Sequence, residues 1–297
     1  MLIYDQILKN RASEKKMFAL LIDPEKASDE WLRQIMSIVN FCNKREQSSS
    51  LELPSVAKIM SKANNFCDKR EQNQTCLSYA EQSKNLERSE KQSIVNSQLF
   101  IFVGGSQMRE SVFDVVEKIK LLTSVPIVMF PGDVSQFADN VDALLFLSLV
   151  SGRNAKYLIE QHIEAAQAIK KSSVECISTG YILVDGGKRT AVERISNTSP
   201  YSTDNIQLIT DTALACELLG HKMVYLEAGS GANCPVSHNI IKATRETISI
   251  PLIVGGGIKT PEQMLSAFNA GADLVVVGNH LESHPEDLSL FLNNIKS

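Results

Sequence analysis

Eight short apolar runs punctuate the chain, separated by polar or amphipathic stretches. They are MFALLI (17–22), LFIFVG (99–104), PIVMF (126–130), ALLFLS (143–148), CISTGYILV (176–184), MVYLEA (223–228), PLIVG (251–255) and DLVVVG (273–278). Each is apolar at consecutive positions rather than at every second one, as parallel strands buried on both faces should be. Helical periodicity occupies 107–121, 155–171, 206–219, 237–248, 261–270 and 286–295. Thr260 before Pro261 is a helix start, a capping hydroxyl followed by a proline whose missing N–H costs nothing there. Only a short polar stretch, 133–140, lies between the third and fourth runs, so a helix there is expected to be weak or missing. Strands alternating with helices eight times over fit a closed (β/α)8 TIM barrel. An open dinucleotide-binding sheet would need GxGxxG after its first strand, where this chain reads IDPEK.

One stretch breaks the pattern. Residues 41–96 hold no glycine, nine serines and three cysteines, Cys42, Cys67 and Cys76. Within and around it, IMSIVNFCNKREQ (Ile35–Gln47) returns imperfectly as IMSKANNFCDKREQ (Ile59–Gln72), and SIVN occurs at 37–40 and at 93–96. Taking out these 56 residues joins WLRQIMSIVN to SQLFIFVGGS and leaves 241, close to the roughly 250 typical of this barrel. The chain is therefore expected to be one TIM-barrel domain over 1–297, carrying a polar insertion at 41–96. The insertion follows the first helix and precedes the second strand, an αβ loop on the face opposite the catalytic loops. An inert insertion with exposed thiols is the simpler reading; a partner-binding arm is the alternative.

Composition narrows the classes. With 43% hydrophobic residues and a net charge of −4 in 297 residues, the chain can bury a sizeable core. A pI near 5.8 gives no support to bulk nucleic-acid binding. No run of about 18 apolar residues would cross a membrane. The start, MLIYDQILKNRASEKK, puts charges where a secretory signal needs its apolar stretch, so a cytoplasmic location is expected. The six cysteines form no CxxC and no zinc-ligand spacing.

In a TIM barrel, chemistry gathers where strands end. The first strand ends in Asp23-Pro24-Glu25-Lys26, the second in Gly104-Gly105-Ser106. The sixth ends in Glu227-Ala228-Gly229-Ser230-Gly231, the seventh in Gly255-Gly256-Gly257, and the eighth in Gly278-Asn279. Glycines after strands seven and eight let backbone N–H groups approach a phosphate, whereas one glycine alone would only signal a tight turn. Glu227 beside them can accept a hydrogen bond from a polyol, and its proton; bracing the loop is the bland alternative. Asp23 facing a phosphate-rich cavity makes sense with Mg2+ between, since that ion takes one or two carboxylates plus ligand phosphates, and the Ser106 hydroxyl would add an oxygen. Asp133 and Arg153 sit at plausible cavity positions, while the five histidines and Cys176, Cys216 and Cys234 suggest no triad or metal site.

Taken together, LLIDPEK, FIFVGGS, YLEAGSGA, PLIVGGGIKTPEQ and ADLVVVGN resemble the geranylgeranylglyceryl phosphate synthase family, which includes the bacterial PcrB-type enzymes. The likeness runs from about residue 5 to 295, except for 41–96. It implies an Mg2+-dependent prenyltransferase joining a polyprenyl diphosphate to the 3-hydroxyl of sn-glycerol 1-phosphate, with release of diphosphate. By motif matching, Asp23 and Ser106 take the metal positions. Tyr225, Leu226, Glu227, Ala228, Gly229, Ser230, Gly231, Gly256, Gly257, Gly278 and Asn279 take the glycerol-phosphate positions, with Glu227 and Tyr225 as the catalytic pair. A homo-oligomer, and transient contact with a membrane surface for a lipid product, are expected with it. The alternatives are another phosphosugar-processing barrel, an isomerase or cyclase, and a non-catalytic phosphometabolite-binding scaffold. The first would need an acid/base pair at opposite strand tips, and strand five offers no clear partner for Asp23.

Overall fold

The computed structural model describes residues 1–45, 98–105, 111–133 and 136–295. Eight parallel strands close a barrel in sequence order: β1 (Met17–Ile22), β2 (Leu99–Val103), β3 (Ile127–Met129), β4 (Ala143–Leu149), β5 (Glu175–Leu183), β6 (Met223–Glu227), β7 (Leu252–Gly255) and β8 (Leu274–Val277). Closure is made by β1 against β8, with Met17 opposite Leu274 and Leu20 opposite Val277. The uninterrupted apolar runs serve two cores at once. Met17, Ala19, Phe100, Phe102, Tyr225 and Val276 fill the barrel interior. Their chain neighbours Phe18, Leu20, Ile101, Leu226 and Val275 point outward and pack under the helices. Successive side chains of a strand face opposite ways, so a strand with a core on each face needs apolar residues throughout.

The α-helices among the described residues are α1 (Ile3–Ala12), α2 (Asp29–Arg45), α3 (Val112–Leu122), α4 (Gln161–Lys171), α5 (Ala191–Ser196), α6 (Ile206–Leu218), α7 (His238–Thr247), α8 (Pro261–Asn269), α9 (Asn279–Ser283) and α10 (Leu288–Ile295). Thr260 caps α8 as expected, in a capping box with Gln263. No α-helix joins β3 to β4 among the described residues. Helix α1, absent from the sequence reading, closes the bottom of the barrel. Ile3 and Ile7 enter the interior cluster, and the Ile3 and Tyr4 N–H groups donate to the Glu175 carboxylate at the start of β5. One side of its short sequence is all that is apolar, and its partners lie 172 residues away.

The expected insertion boundary at Phe41 falls inside α2, which continues to Arg45. Asn40 is pinned there: its amide donates to Leu122 O at 2.7 Å and its carbonyl accepts from the Thr123 hydroxyl at 3.0 Å. Cys42 is buried in the outer core, not exposed as its polar surroundings suggested. Residues 46–96, with Cys67 and Cys76, lie outside the described residues. The chain returns at Gln98, whose side-chain amide donates to Lys16 O at 2.7 Å and whose backbone carbonyl accepts from Phe18 N at 2.8 Å. That return is at the N-terminal ends of the strands, the face opposite the loops described next.

Candidate active site

A cavity of about 330 Å³ opens at the C-terminal ends of the strands. Asp23, Tyr225, Glu227, Ser230, Gly231, Gly256, Gly257, Gly278 and Asn279 all line it. Leu226 and Ala228 do not: both side chains pack into the outer core, which leaves only their backbone near the site. Gly229 acts through its N–H, and Ser106 lies outside the described residues. Arg153 is not among the lining residues; its guanidinium turns back to Val150 O.

The glycines are there because of what surrounds them. Gly256 and Gly257 have φ of +80° and +71°, a left-handed backbone that costs other residues energy. A Cβ on Gly256 would meet the Glu227 Oε1 at 2.3 Å and the Gly229 N at 2.6 Å. Gly255 ends β7 against the Tyr225 hydroxyl, 2.2 Å from where a Cβ would stand. The triple glycine thus divides its work: the first makes room for a ring, and the next two line the cavity. Across from them, a Cβ on Gly231 would lie 3.8 Å from Asn279 Nδ2 and 4.0 Å from Lys188 Nζ. Backbone N–H groups in such turns, with an amide and an ammonium nearby, form a concavity suited to an anion.

Glu227 is 6% exposed, and its Oε1 accepts from Gly229 N at 2.6 Å. Burial pushes its carboxyl up to about 7, while the Tyr225 hydroxyl and the Gly229 N–H pull the other way by favouring the charged form. The Tyr225 hydroxyl itself is buried without a partner at full hydrogen-bond geometry among the described residues. Burial first, and the Glu227 charge second, hold its pKa well above the ordinary value. A buried hydroxyl short of full hydrogen-bond geometry, next to a carboxyl that burial pushes up to about 7, is an arrangement suited to a polar ligand.

Asp23 caps the turn Pro24–Lys26, accepting from Glu25 N at 3.1 Å. Its Oδ1 faces Gly105, where a Cβ would come within 2.9 Å. Glycine at that position keeps space open beside the carboxylate. Lys26 Nζ stands 3.4 Å from Asp23 Oδ2 and 2.8 Å from Glu282 Oε2.

Three aromatic rings line the inner wall. Phe130, Tyr181 and Tyr225 have centroids 5.9, 5.5 and 5.3 Å apart, pair by pair. Phe130 and Tyr181 also border a second chamber of about 90 Å³, with Gly132, Leu147, Leu149, Tyr157 and Ile195. That chamber shares Pro131, Leu147 and Gln161 with a third, of about 60 Å³, lined by Phe137, Phe146 and Ala165. Asp133 is found in this third chamber, bound by the Gln161 amide at 2.7 Å, rather than in the main cavity. The groove runs beside β4 (Ala143–Leu149), past the connection that has no described α-helix. Sequence reasoning missed Phe130, Tyr181, Lys188, Lys259, His280, Glu282 and His284; all but Lys188 line the main cavity. The GGK after β5 and the HLES after GN were the available signals.

Fold and cavity together define a TIM barrel with its polar site at the strand tips and an apolar groove leading from it. The chain belongs to the PcrB family, whose model matches residues 81–295. It is 50% identical over 184 residues to a geranylgeranylglyceryl phosphate synthase of Zunongwangia profunda, covering 62% of this chain and 79% of that protein. With the synthase of Methanopyrus kandleri it shares 38% over 197 residues, 66% and 82% of the two chains. Among solved structures, wild-type GGGPS from Thermoplasma volcanium superposes with a TM-score of 0.73 at 25% identity, covering 100% of this chain and 96% of that one. The Thermoplasma acidophilum enzyme in complex with sn-glycerol-1-phosphate has the same fold, with a TM-score of 0.75 at 24% identity over 100% and 99% of the two chains.

Proposed function

We propose that this protein is a geranylgeranylglyceryl phosphate synthase, transferring a prenyl group from its diphosphate to the 3-hydroxyl of sn-glycerol 1-phosphate. The observation that carries the reading is one cavity with a carboxylate on each of two walls, a glycine cradle between them and an apolar groove leading away. The glycines of the β6, β7 and β8 loops, with Ser230 and Asn279, receive the phosphate of the acceptor. Glu227 then faces the glycerol hydroxyls. The donor lays its tail in the groove along Leu147 and Ala165, which brings its first carbon to Phe130, Tyr181 and Tyr225.

Asp23 suits a divalent ion of the Mg2+ kind, because space is kept beside its carboxylate and phosphates of the substrate would complete the shell. Among the described residues no group of three or more His, Cys, Asp or Glu could hold a metal by itself, so an ion on Asp23 would need oxygens of the substrates to complete its shell. When bound, Mg2+ neutralises charge on the departing diphosphate.

The bond from the prenyl carbon to the diphosphate oxygen breaks, and the bond to the glycerol 3-oxygen forms. Glu227, with a carboxyl near 7, orients that hydroxyl and accepts its proton. The aromatic rings face the electron-poor allylic carbon, and their π faces favour positive charge. Holding both substrates at one point removes much of the entropic barrier. No helix among the described residues is long and apolar enough to cross a membrane.

The test incubates the purified full-length chain with labelled sn-glycerol 1-phosphate and geranylgeranyl diphosphate, with Mg2+ or with EDTA. A butanol-extractable product that requires Mg2+ is expected. Its absence with every donor length tried would overturn the reading.

A further inference from the structure

The turn after β1 places one ammonium between two carboxylates that both line the cavity. Lys26 N donates to Asp23 O at 3.0 Å, which folds the turn so that the lysine side chain comes back over the Asp23 carboxylate. Glu282, on α9 one turn beyond Gly278 and Asn279, takes the shorter contact, 2.8 Å against 3.4 Å for Asp23. A contact at 2.8 Å is a charge-assisted hydrogen bond, whereas one at 3.4 Å is mainly Coulombic.

We propose that Lys26 is a diphosphate-binding residue of the donor subsite, kept at the site by Glu282. The inference rests on the prenyltransferase reading and adds to it the residue that takes the leaving group. Asp23 and Glu282 both border the cavity, so a diphosphate entering beside Asp23 meets two negative charges; Lys26 stands just behind that lining, in contact with both. Lys26 is free to turn: its side chain is 46% exposed, against 16% for Glu282 and 23% for Asp23. A half-exposed ion pair is cheap to rearrange, and a lysine on a flexible four-carbon stem binds phosphate oxygens as a point charge. The donor draws the ammonium off Asp23 and onto its own oxygens. Glu282 stays beside the lysine, so the charge does not drift into solvent. As the carbon–oxygen bond breaks, negative charge grows on the departing diphosphate, and Lys26 is placed to offset it.

A rival account makes Lys26 only a staple between the β1 and β8 loops. A staple depends on both ends equally, so removing either charge would have the same effect. A diphosphate ligand depends on the lysine's charge far more than on the glutamate's, because a glutamine oxygen at 282 can still accept from the ammonium and hold it in place.

Inorganic diphosphate binding to the full chain, by titration calorimetry in EDTA and again in Mg2+, separates the two. Lys26→Met is expected to weaken diphosphate at least tenfold in both conditions, with affinity for sn-glycerol 1-phosphate unchanged. Lys26→Arg and Glu282→Gln are expected to stay within threefold of wild type. Equal diphosphate affinity in Lys26→Met and wild type would overturn the proposal. So would equal weakening by Lys26→Met and Glu282→Gln, or loss of both ligands together in Lys26→Met. Absence of ether product from the wild-type chain, scored in parallel, would overturn the prenyltransferase reading instead.

Discussion

Replacing Glu227 by Gln tests the burial argument and the chemistry in one protein. Burial raises the carboxyl from 4.5 to about 7, so the folded state holds a proton that the unfolded chain has already released. The stability this contributes is fully present below about pH 4.5 and is lost as pH rises through 7. A shift of about 2.5 units corresponds to roughly 3 kcal/mol at about 1.4 kcal/mol per unit. Glutamine stays neutral at every pH and can still accept from Gly229 N. The variant should therefore match wild type at pH 5 and exceed it at pH 8.5 by up to about 3 kcal/mol, or roughly 6–12 °C in Tm. Activity should move the other way: the variant loses about 10²–10⁴ in rate, and wild-type kcat/KM climbs with pH through about 7. Thermal melts across pH 5–8.5 without substrate, with the extraction assay alongside, provide both readouts. Parallel Tm curves for the two proteins, or activity within tenfold of wild type, would refute the reasoning.

Four further outcomes follow from the geometry. Asp23→Ala should abolish Mg2+-dependent transfer while leaving sn-glycerol 1-phosphate affinity within about threefold, checked by calorimetry. Gly256→Ala combines a left-handed backbone with a Cβ 2.3 Å from Glu227 Oε1, so it should cost about 1–3 kcal/mol in denaturant melts and most of the activity. Ala165→Phe narrows the third chamber, and should lower turnover of a twenty-carbon donor more than of a ten-carbon one in competition assays. As for the insertion, we propose that it is dispensable but begins after α2: deleting 46–96 should preserve fold and activity, whereas deleting 41–96 removes buried Cys42 and should lower Tm.

The strands and most helices were readable because their cause is local: apolar runs of strand length, capping residues and helical periodicity act over a few positions. The glycine loops and Asp23 and Glu227 were readable for a related reason, since residues at strand tips in a TIM barrel face one opening whatever the loops do. Helix α1 was not, because what holds Ile3 and Tyr4 is the Glu175 carboxylate on β5. Nor was the last part of α2, beyond the expected boundary at Phe41: polar surroundings hide that Cys42 is buried in the outer core, next to Asn40 docked on Leu122 of α3.

By itself, then, the chain's pattern determined eight buried strands, one barrel, and a site rich in glycine with two carboxylates. Which of its apolar residues face inward, and which line a groove, depends on strand register and on a β3–β4 connection with no α-helix among the described residues. That Lys26 meets Glu282, 256 positions away, depends on barrel closure between β1 and β8. The burial that moves Glu227 toward neutrality likewise comes from Tyr225, Gly255 and Gly256 closing around it. Contacts between distant segments set electric fields and cavity walls, and these exist only once the barrel has closed.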